Sequence, residues 1–442
     1  MPTFAIWTLG CRVNAFESAC IRDRALAAGF DIVEWEGGAD IGVVNSCALT
    51  KLAEAKTRQS IRIFARKNPH CKIAVTGCYA QTDPEGVRLE NVKWIIPNKN
   101  KANVVDIILG GLSAETESEL HCGGSSPLED RMNLKIQDGC DNACAYCIIP
   151  RARGLPRSVD FEKIVADAEN LVSRGVRELV LTGINIAKFS SPKGGLVALA
   201  DRLNEIDGLY RLRLGSIEPP LVDIDAIAER AKDASHILMP SLHISAQSLS
   251  DTVLERMRRR YKARDFLDMV GRFAALCPDI AIGGDFICGH PAETRAEFEQ
   301  TSSLLENSPM AYAHVFTFSP RPKTLAWSMK DTPPAVERKA RADELREVAA
   351  RLRAKFAYSQ LGKRKTLLLE NSLGGNLFFA HTDNYIPSVV DAPDGEKNAL
   401  VAAVADSIDA EGRLVFRNVE ILRGARQFCF CRKHALISER KK

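Results

Sequence analysis

The sequence predicts an α/β protein in three parts: an open parallel α/β sheet, a partial barrel of six β/α units, and a small antiparallel β-barrel. Three observations lead there. Short β-rich runs alternate with helical stretches over residues 1–112, the alternation resumes on a longer scale over 131–357, and from 358 to 424 short runs are separated only by turn residues.

In the first part, runs at residues 4–9, 31–35, 41–45, 72–76 and 92–96 are interleaved with helical patterns such as 17–29 and 53–67. That order belongs to a mostly parallel sheet covered on both faces. Residues 113–130 hold five acidic and no basic side chains around Gly123, Gly124, Ser125, Ser126 and Pro127, the composition of a linker. In the second part, runs near 133–137, 178–182, 211–215, 241–245, 280–286 and 314–318 leave room for a helix between each pair, which suits an incomplete barrel. The charged span 336–356, free of Gly and Pro, reads as the helix that ends it. In the third part, runs at 366–370, 377–381, 400–405 and 414–419 are bounded by Asn371, Gly374 and Gly375, by Pro393, Asp394 and Gly395, and by Glu411 and Gly412. Residues 425–442 form a basic tail.

Composition narrows the function classes. With 442 residues, 45% hydrophobic and 60 basic against 56 acidic side chains, the chain has enough apolar material for several cores and is neither disordered nor fibrous. The apolar run near the start is far shorter than the ~18 residues a helix needs to cross lipid, and no basic segment precedes it, so the expectation is a cytoplasmic protein without a membrane partner. Thirteen cysteines in a reducing compartment point to metal binding or catalysis rather than structural disulfides.

The strongest local signal is Gly139-Cys140-Asp141-Asn142-Ala143-Cys144-Ala145-Tyr146-Cys147, three cysteines in a loop just after the first barrel strand. A structural zinc site normally recruits a fourth Cys or His nearby, and none lies between Cys147 and the next helix. A cubane iron–sulfur cluster held by three thiolates leaves one iron open for an outside ligand, and this reading is favoured over zinc. A second set is dispersed. Cys11, Cys47 and Cys78 each follow a strand of the first sheet, and in an open parallel sheet the loops beyond the carboxyl ends of the strands meet in one crevice. Singly, each reads as a small buried hydrophobe. Jointly, their equivalent positions argue for convergence. Cys20, Cys71, Cys122, Cys277 and Cys288 keep the bland reading, as do Cys429 and Cys431, since two ligands make a poor site.

The Cys140–Cys144–Cys147 spacing resembles that of the radical S-adenosylmethionine enzymes, and the whole arrangement resembles the methylthiotransferases within them. The resemblance rests on Gly10-Cys11-Arg12-Val13-Asn14, Asn45-Ser46-Cys47, Thr76-Gly77-Cys78, the Gly139–Pro150 loop, His243-Ile244-Ser245-Ala246-Gln247-Ser248 and residues 314–320. It implies two [4Fe–4S] clusters and S-adenosyl-L-methionine. Cys140, Cys144 and Cys147 would hold the radical-generating cluster, and Cys11, Cys47 and Cys78 the one that donates sulfur. Tyr146, Glu178, Thr182, Gly183, Asn185, Ser216, Glu218 and Gln247, most of them at strand ends, would contact the cofactor. The end of the chain, with Thr382-Asp383-Asn384-Tyr385, looks like the RNA-binding TRAM domain of these enzymes. The implied reaction inserts a methylthio group at C2 of N6-threonylcarbamoyladenosine beside the tRNA anticodon, with N6-isopentenyladenosine or a ribosomal-protein aspartate as alternatives. An electron donor such as flavodoxin or ferredoxin is implied as well. A metal-stabilised RNA-binding protein is the competing reading from another class.

An RNA substrate makes electrostatic sense. Arg151, Arg153 and Arg157 lie beside the cluster loop and Arg258, Arg259 and Arg260 form a run, so these six, with Asn384 and Tyr385, are the expected RNA contacts. Their plain alternative is a solvated face. The chain also departs from the family pattern: Cys288-Gly289-His290-Pro291-Ala292-Glu293 stands where a Gly-Phe-Pro-Gly-Glu run is usual, and Ala380-His381 replaces the usual glycine before Thr382. His290 is expected to be a hydrogen-bonded loop residue.

Overall fold

Apolar residues on both sides of the pleat dictate the first sheet. The computed structural model describes residues 1–111, 131–219 and 223–422, so the predicted linker, the basic tail, Cys122, Cys429 and Cys431 lie outside the described residues. Strands Asp31–Ile32, Thr3–Thr8, Ile41–Ser46, Lys72–Gly77 and Val92–Ile95 pair in that order, all parallel. Alternate residues enter two cores. Ala5, Val44, Ile73 and Val75 pack under the Lys51–Lys67 helix with Ile61 and Phe64, while Phe4, Val43 and Ala74 pack with Ile21 and Ala25 of the Arg12–Ala27 helix.

Two boundaries differ from the expected ones. The first helix starts at Arg12 rather than at residue 17, because Gly10 turns the chain at φ +105° and Asn14 donates from Nδ2 to the Leu9 and Ser46 carbonyls. The second strand stops at Ile32, and Trp35 in the following turn stacks on Phe64 at 3.9 Å instead of continuing the ladder.

The six expected central strands are all present as Arg131–Lys135, Glu178–Thr182, Arg211–Leu214 with Ser216–Ile217, Ser241–Gln247, Ala281–Cys288 and Tyr312–Thr317, parallel and in chain order. The third is broken at Gly215: before it the strand pairs with Glu178–Thr182, after it with Ser241–Gln247. A side chain on Gly215 would meet the Leu181 carbonyl at 2.7 Å. The first and last strands do not pair with each other, so the barrel is open. The N-terminal sheet covers that gap. Its Arg12–Ala27 helix packs on the Arg131–Lys135 edge, and beyond the other edge the Lys51 N–H donates to Ser319 Oγ while Arg321 pairs with Glu54.

The C-terminal strands close into a five-stranded barrel: Arg364–Gly374, Leu377–Thr382, Pro387–Asp391, Leu414–Phe416 and Leu400–Ile408, which returns to the first. The sequence did not announce Pro387–Asp391, since proline masks the β pattern; at the first residue of a strand it removes little. This barrel docks under the central one through buried charge. Arg211 donates to the carbonyls of His381 (3.1 Å) and Thr366 (2.7 Å), Arg213 to those of Asp383 (2.8 Å) and Thr382 (2.9 Å), and both pair with Glu178 at 3.1 and 2.7 Å.

Three expected site residues are thereby reassigned. Glu178 begins its strand rather than ending it, so it lies at the floor of the barrel, fully buried among arginines, away from the strand ends expected to bind the cofactor. Asn384 is buried too, donating to the Asp279 carbonyl and to Gln360 Oε1, both at 3.0 Å. Tyr385 stacks on His381 at 4.6 Å and lies under the Arg213 and Arg131 guanidiniums. Both make contacts between the two barrels, and both line the chamber described below.

Candidate functional site

The Cys140–Cys147 loop is shaped by its backbone. Gly139 sits at φ +72° against the Leu155 carbonyl, where no side chain fits. Cys140 N–H donates to Gly154 O (3.0 Å), Asn142 N–H reaches Cys140 Sγ (3.4 Å) and Cys147 N–H closes a turn onto Cys144 O (3.1 Å). Burial pushes the Cys147 thiol up to about 12 and raises Cys140, with the neighbouring thiols adding to both.

Cys11, Cys47 and Cys78 meet as their topology predicts. Gly10 is so close to Cys47 that a side chain there would lie 2.9 Å from its Sγ. Burial raises Cys47 to about 12 and raises Cys11; the Cys78 thiol adds to both shifts, Cys11 adds to that of Cys47, and Arg153 opposes both.

The donor chemistry fits clusters. A tetrahedral zinc with Zn–S bonds of ~2.3 Å needs its sulfurs about 3.8 Å apart. Neither thiol set closes that far: the only trio of possible metal-ligating atoms found within 4.8 Å of one another among the described residues is His243, Asp285 and His314. Buried thiols with raised pKa values become ligands when iron supplies the compensating charge.

Two arginines expected at the RNA surface turn inward. Arg153 is 4% exposed and binds Glu17 (2.9 Å) and Asn14 (2.6 Å) of the first domain together with Asp138 (3.0 Å) of the second, tying the two domains beside the Cys11 set. Lys101 and Lys135 also pair with Glu17, at 2.6 and 3.1 Å. Arg259 pairs with Glu218 (3.2 Å) and donates to Cys144 Sγ (3.4 Å) and Ser245 O (3.0 Å). Arg151, Arg157, Arg258 and Arg260 are exposed as expected. Replacing Arg153 by methionine should lower unfolding free energy by about 2–3 kcal/mol, the lysines still covering part of the carboxylate charge. It should also raise the Cys11 and Cys47 thiols further. Iodoacetamide labelling of metal-free protein would then slow a few-fold at fixed pH, and unchanged labelling would dismiss the link.

Several of the strand-end residues are joined by hydrogen bonds. Glu218 receives Asn185 Nδ2 at 2.7 Å and Asn142 Nδ2, and the Asn185 N–H donates to Gln137 Oε1 at 2.8 Å. Ser216 Oγ bonds Ser245 Oγ at 2.9 Å, and Gln247 ends its strand at φ +66°. Tyr146 is packed near Phe318. His290 is fully buried: burial pulls its pKa down to about 4, its Nδ1 lies 3.3 Å from the Pro291 carbonyl and its ring abuts Phe318.

A chamber of about 580 Å³ is bounded by Gly10, Cys11 and Arg12 on one side, by Thr182, Gly183, Gly215 and Ser216 at strand ends, and by His381 and Tyr385 of the C-terminal barrel. Inside it, Asp285 Oδ1 lies 3.0 Å from His243 Nε2 and 3.5 Å from His314 Nδ1, and Tyr312 Oη lies 3.3 Å from His243 Nδ1. The roles of Arg12, Asp285, Tyr312 and Arg353 as chamber walls were not read from the sequence. A partial signal exists, since Tyr312 and His314 alternate on one strand face and Asp285 is His314's register partner.

Residues 3–96 match the family described as Uncharacterized protein family UPF0004, and residues 134–305 match the Radical SAM superfamily. The chain is 34% identical, over 93% of its length and 97% of the relative's, to the threonylcarbamoyladenosine tRNA methylthiotransferase MtaB of Chlamydia pneumoniae. It is 36% identical to the MtaB protein of Thermotoga maritima over 84% of this chain and 87% of that one. A tRNA-2-methylthio-N(6)-dimethylallyladenosine synthase of Dehalococcoides mccartyi shares 32% over 87% of this chain and 93% of its own. Among solved structures, the radical S-adenosylmethionine methyltransferase TsrM of Kitasatospora setae superposes with a TM-score of 0.53 at 12% identity, over 74% of this chain and 77% of the other, a likeness of fold alone. Domain content, thiol placement and full-length identity agree: the chain belongs to the radical S-adenosylmethionine methylthiotransferase family, in its MtaB branch.

Proposed function

We propose that this enzyme inserts a methylthio group at C2 of N6-threonylcarbamoyladenosine next to the tRNA anticodon. The observation that carries this reading is that Cys11 lines one chamber together with the strand ends Thr182, Gly183, Gly215 and Ser216, which supports a sulfur donor and a strand-end cofactor working on one substrate. The likeness to threonylcarbamoyladenosine enzymes along nearly the whole chain supports the substrate.

Membership in the family brings a [4Fe–4S] cluster and S-adenosylmethionine, which together supply one-electron cleavage of a sulfonium and hence a radical able to take hydrogen from an unactivated aromatic carbon. Cys140, Cys144 and Cys147 would hold that cluster, while Cys11, Cys47 and Cys78 would hold a second that presents sulfur. Glu218, fixed by Asn142, Asn185 and Arg259, offers a charged anchor for the amino or ribose groups of the cofactor, and Thr182, Gly183, Ser216, Gln247 and Tyr146 complete its surroundings. Arg259 donates to Cys144 Sγ and so holds that side chain in place within the loop. The N-terminal sheet shields the open side of the barrel from water, as radical chemistry requires. Exposed Arg151, Arg157, Arg258 and Arg260 would meet tRNA phosphates. A flavodoxin or ferredoxin would deliver the electron, and the tRNA substrate sets the cytoplasm as the place of work. No helix among the described residues is long and apolar enough to cross a membrane.

Mass spectrometry of tRNA nucleosides from a deletion strain tests the reaction. The expected result is loss of 2-methylthio-N6-threonylcarbamoyladenosine with its unmethylthiolated precursor accumulating; loss of a methylthiolated isopentenyladenosine instead would reassign the substrate. Oxygen-protected protein should carry about eight irons per chain, two cubanes' worth.

A further inference from the structure

Two cations in the chamber have no counter-charge. Arg12 opens the first helix one residue past Cys11, Arg353 stands on the Ala335–Tyr358 helix, and both line the chamber. Neither has a hydrogen-bond or ion-pair partner among the described residues; the Arg12 charge is felt by the Tyr312 hydroxyl. The only carboxylate in the chamber wall is Asp285, and it is engaged by His243 and His314. The buried arginines around the site each have a carboxylate: Arg153 has Glu17, Arg213 has Glu178, Arg259 has Glu218. Both arginines are exposed at the rim of the chamber, while Ala281, Ala311, Phe356, Ala357, Ile386 and Pro387 add apolar wall, so an anion entering here would meet guanidinium on one side and apolar surface on the other.

We propose that Arg12 and Arg353 form the receptor for the carboxylate of the threonylcarbamoyl group, and so select this substrate over an adenosine with a neutral hydrocarbon at the same nitrogen. The proposal rests on the substrate reading given above. The substrate reading places an anion on the base itself, at the end of the N6 substituent. C2 lies as many bonds from N6, through N1 and C6, as from N9, through N3 and C4, so an amide analogue that keeps every phosphate is what separates this carboxylate from the backbone. Guanidinium is suited to the task because its planar fork meets a carboxylate with two parallel hydrogen bonds.

The test measures binding and single-turnover methylthiolation of anticodon stem–loops by reconstituted full-length enzyme with S-adenosylmethionine. One stem–loop carries threonylcarbamoyladenosine, a second its threoninamide analogue, a third isopentenyladenosine. Wild type should bind the carboxylate about tenfold to a hundredfold more tightly than the amide, the range of one or two charge-assisted hydrogen bonds. Arg12→Gln/Arg353→Gln should lose that factor on the carboxylate and almost nothing further on the amide. Equal binding of acid and amide by wild type, or an equal loss on both by the variant, overturns the receptor while leaving the substrate standing. Turnover of only the isopentenyl stem–loop overturns the substrate reading, and the receptor with it.

Discussion

Cys140→Ala is expected to abolish reductive cleavage of S-adenosylmethionine, whereas Cys47→Ala should separate cleavage from sulfur insertion. The argument is one of position. Cys140, Cys144 and Cys147 sit on a single short loop whose turns are fixed by Gly139 and by the Cys140–Gly154 and Cys147–Cys144 backbone bonds. Removing one of three thiolates from so compact a set leaves the cubane without a complete anchor, and the rate of 5′-deoxyadenosine formation should fall by at least about a hundredfold, as for loss of an obligatory catalytic part. Cys47 comes from a different domain, at the end of Ile41–Ser46. Its loss should leave 5′-deoxyadenosine forming in dithionite-reduced enzyme while methylthiolated nucleoside disappears. Loss of both products from Cys47→Ala, or cleavage by Cys140→Ala at the wild-type rate, would refute the division of labour.

The largest effect on stability is expected at Glu178. Burial works against its carboxylate, but Arg213, Arg211 and Arg131 more than offset it and hold the pKa at about 2, against an ordinary 4.5. Glu178→Ala would strand Arg211 and Arg213 without a counter-charge between the two barrels, at a cost of about 3–5 kcal/mol. Thermal unfolding of the purified protein would read this as a fall in Tm, and a change below about 1 kcal/mol would show that the carbonyls of residues 366 and 381–383 suffice. The pH sign follows from the depressed pKa. Glu178 contributes its full stabilisation above its unfolded value of about 4.5, and that contribution drains away as pH falls through about 2. Glu178→Gln should flatten this acid limb.

What the sequence revealed and concealed divides along physical lines. The loop cysteines stood out because three thiols share one short segment, and the approach of Cys11, Cys47 and Cys78 was legible because strand ends of a parallel sheet converge by topology. The central barrel was legible strand by strand because its buried runs are continuous. Arg153 and Arg259 were misread because a lone arginine signals surface unless its partner is known, and Glu17 lies 136 residues before Arg153. Glu178 was misread for the same reason, and the barrel contacts of Asn384 and Tyr385 went unseen: the docking of one barrel under another is a non-local event that no spacing encodes.

That docking gives the C-terminal barrel a second office. Since His381 and Tyr385 form the base of the reaction chamber, the module is part of the vessel and not a tethered arm. A chimera that exchanged it for a relative's RNA-binding module would have to bring along acceptors for the Arg211 and Arg213 forks, or the vessel would leak solvent onto a species that survives only when dry.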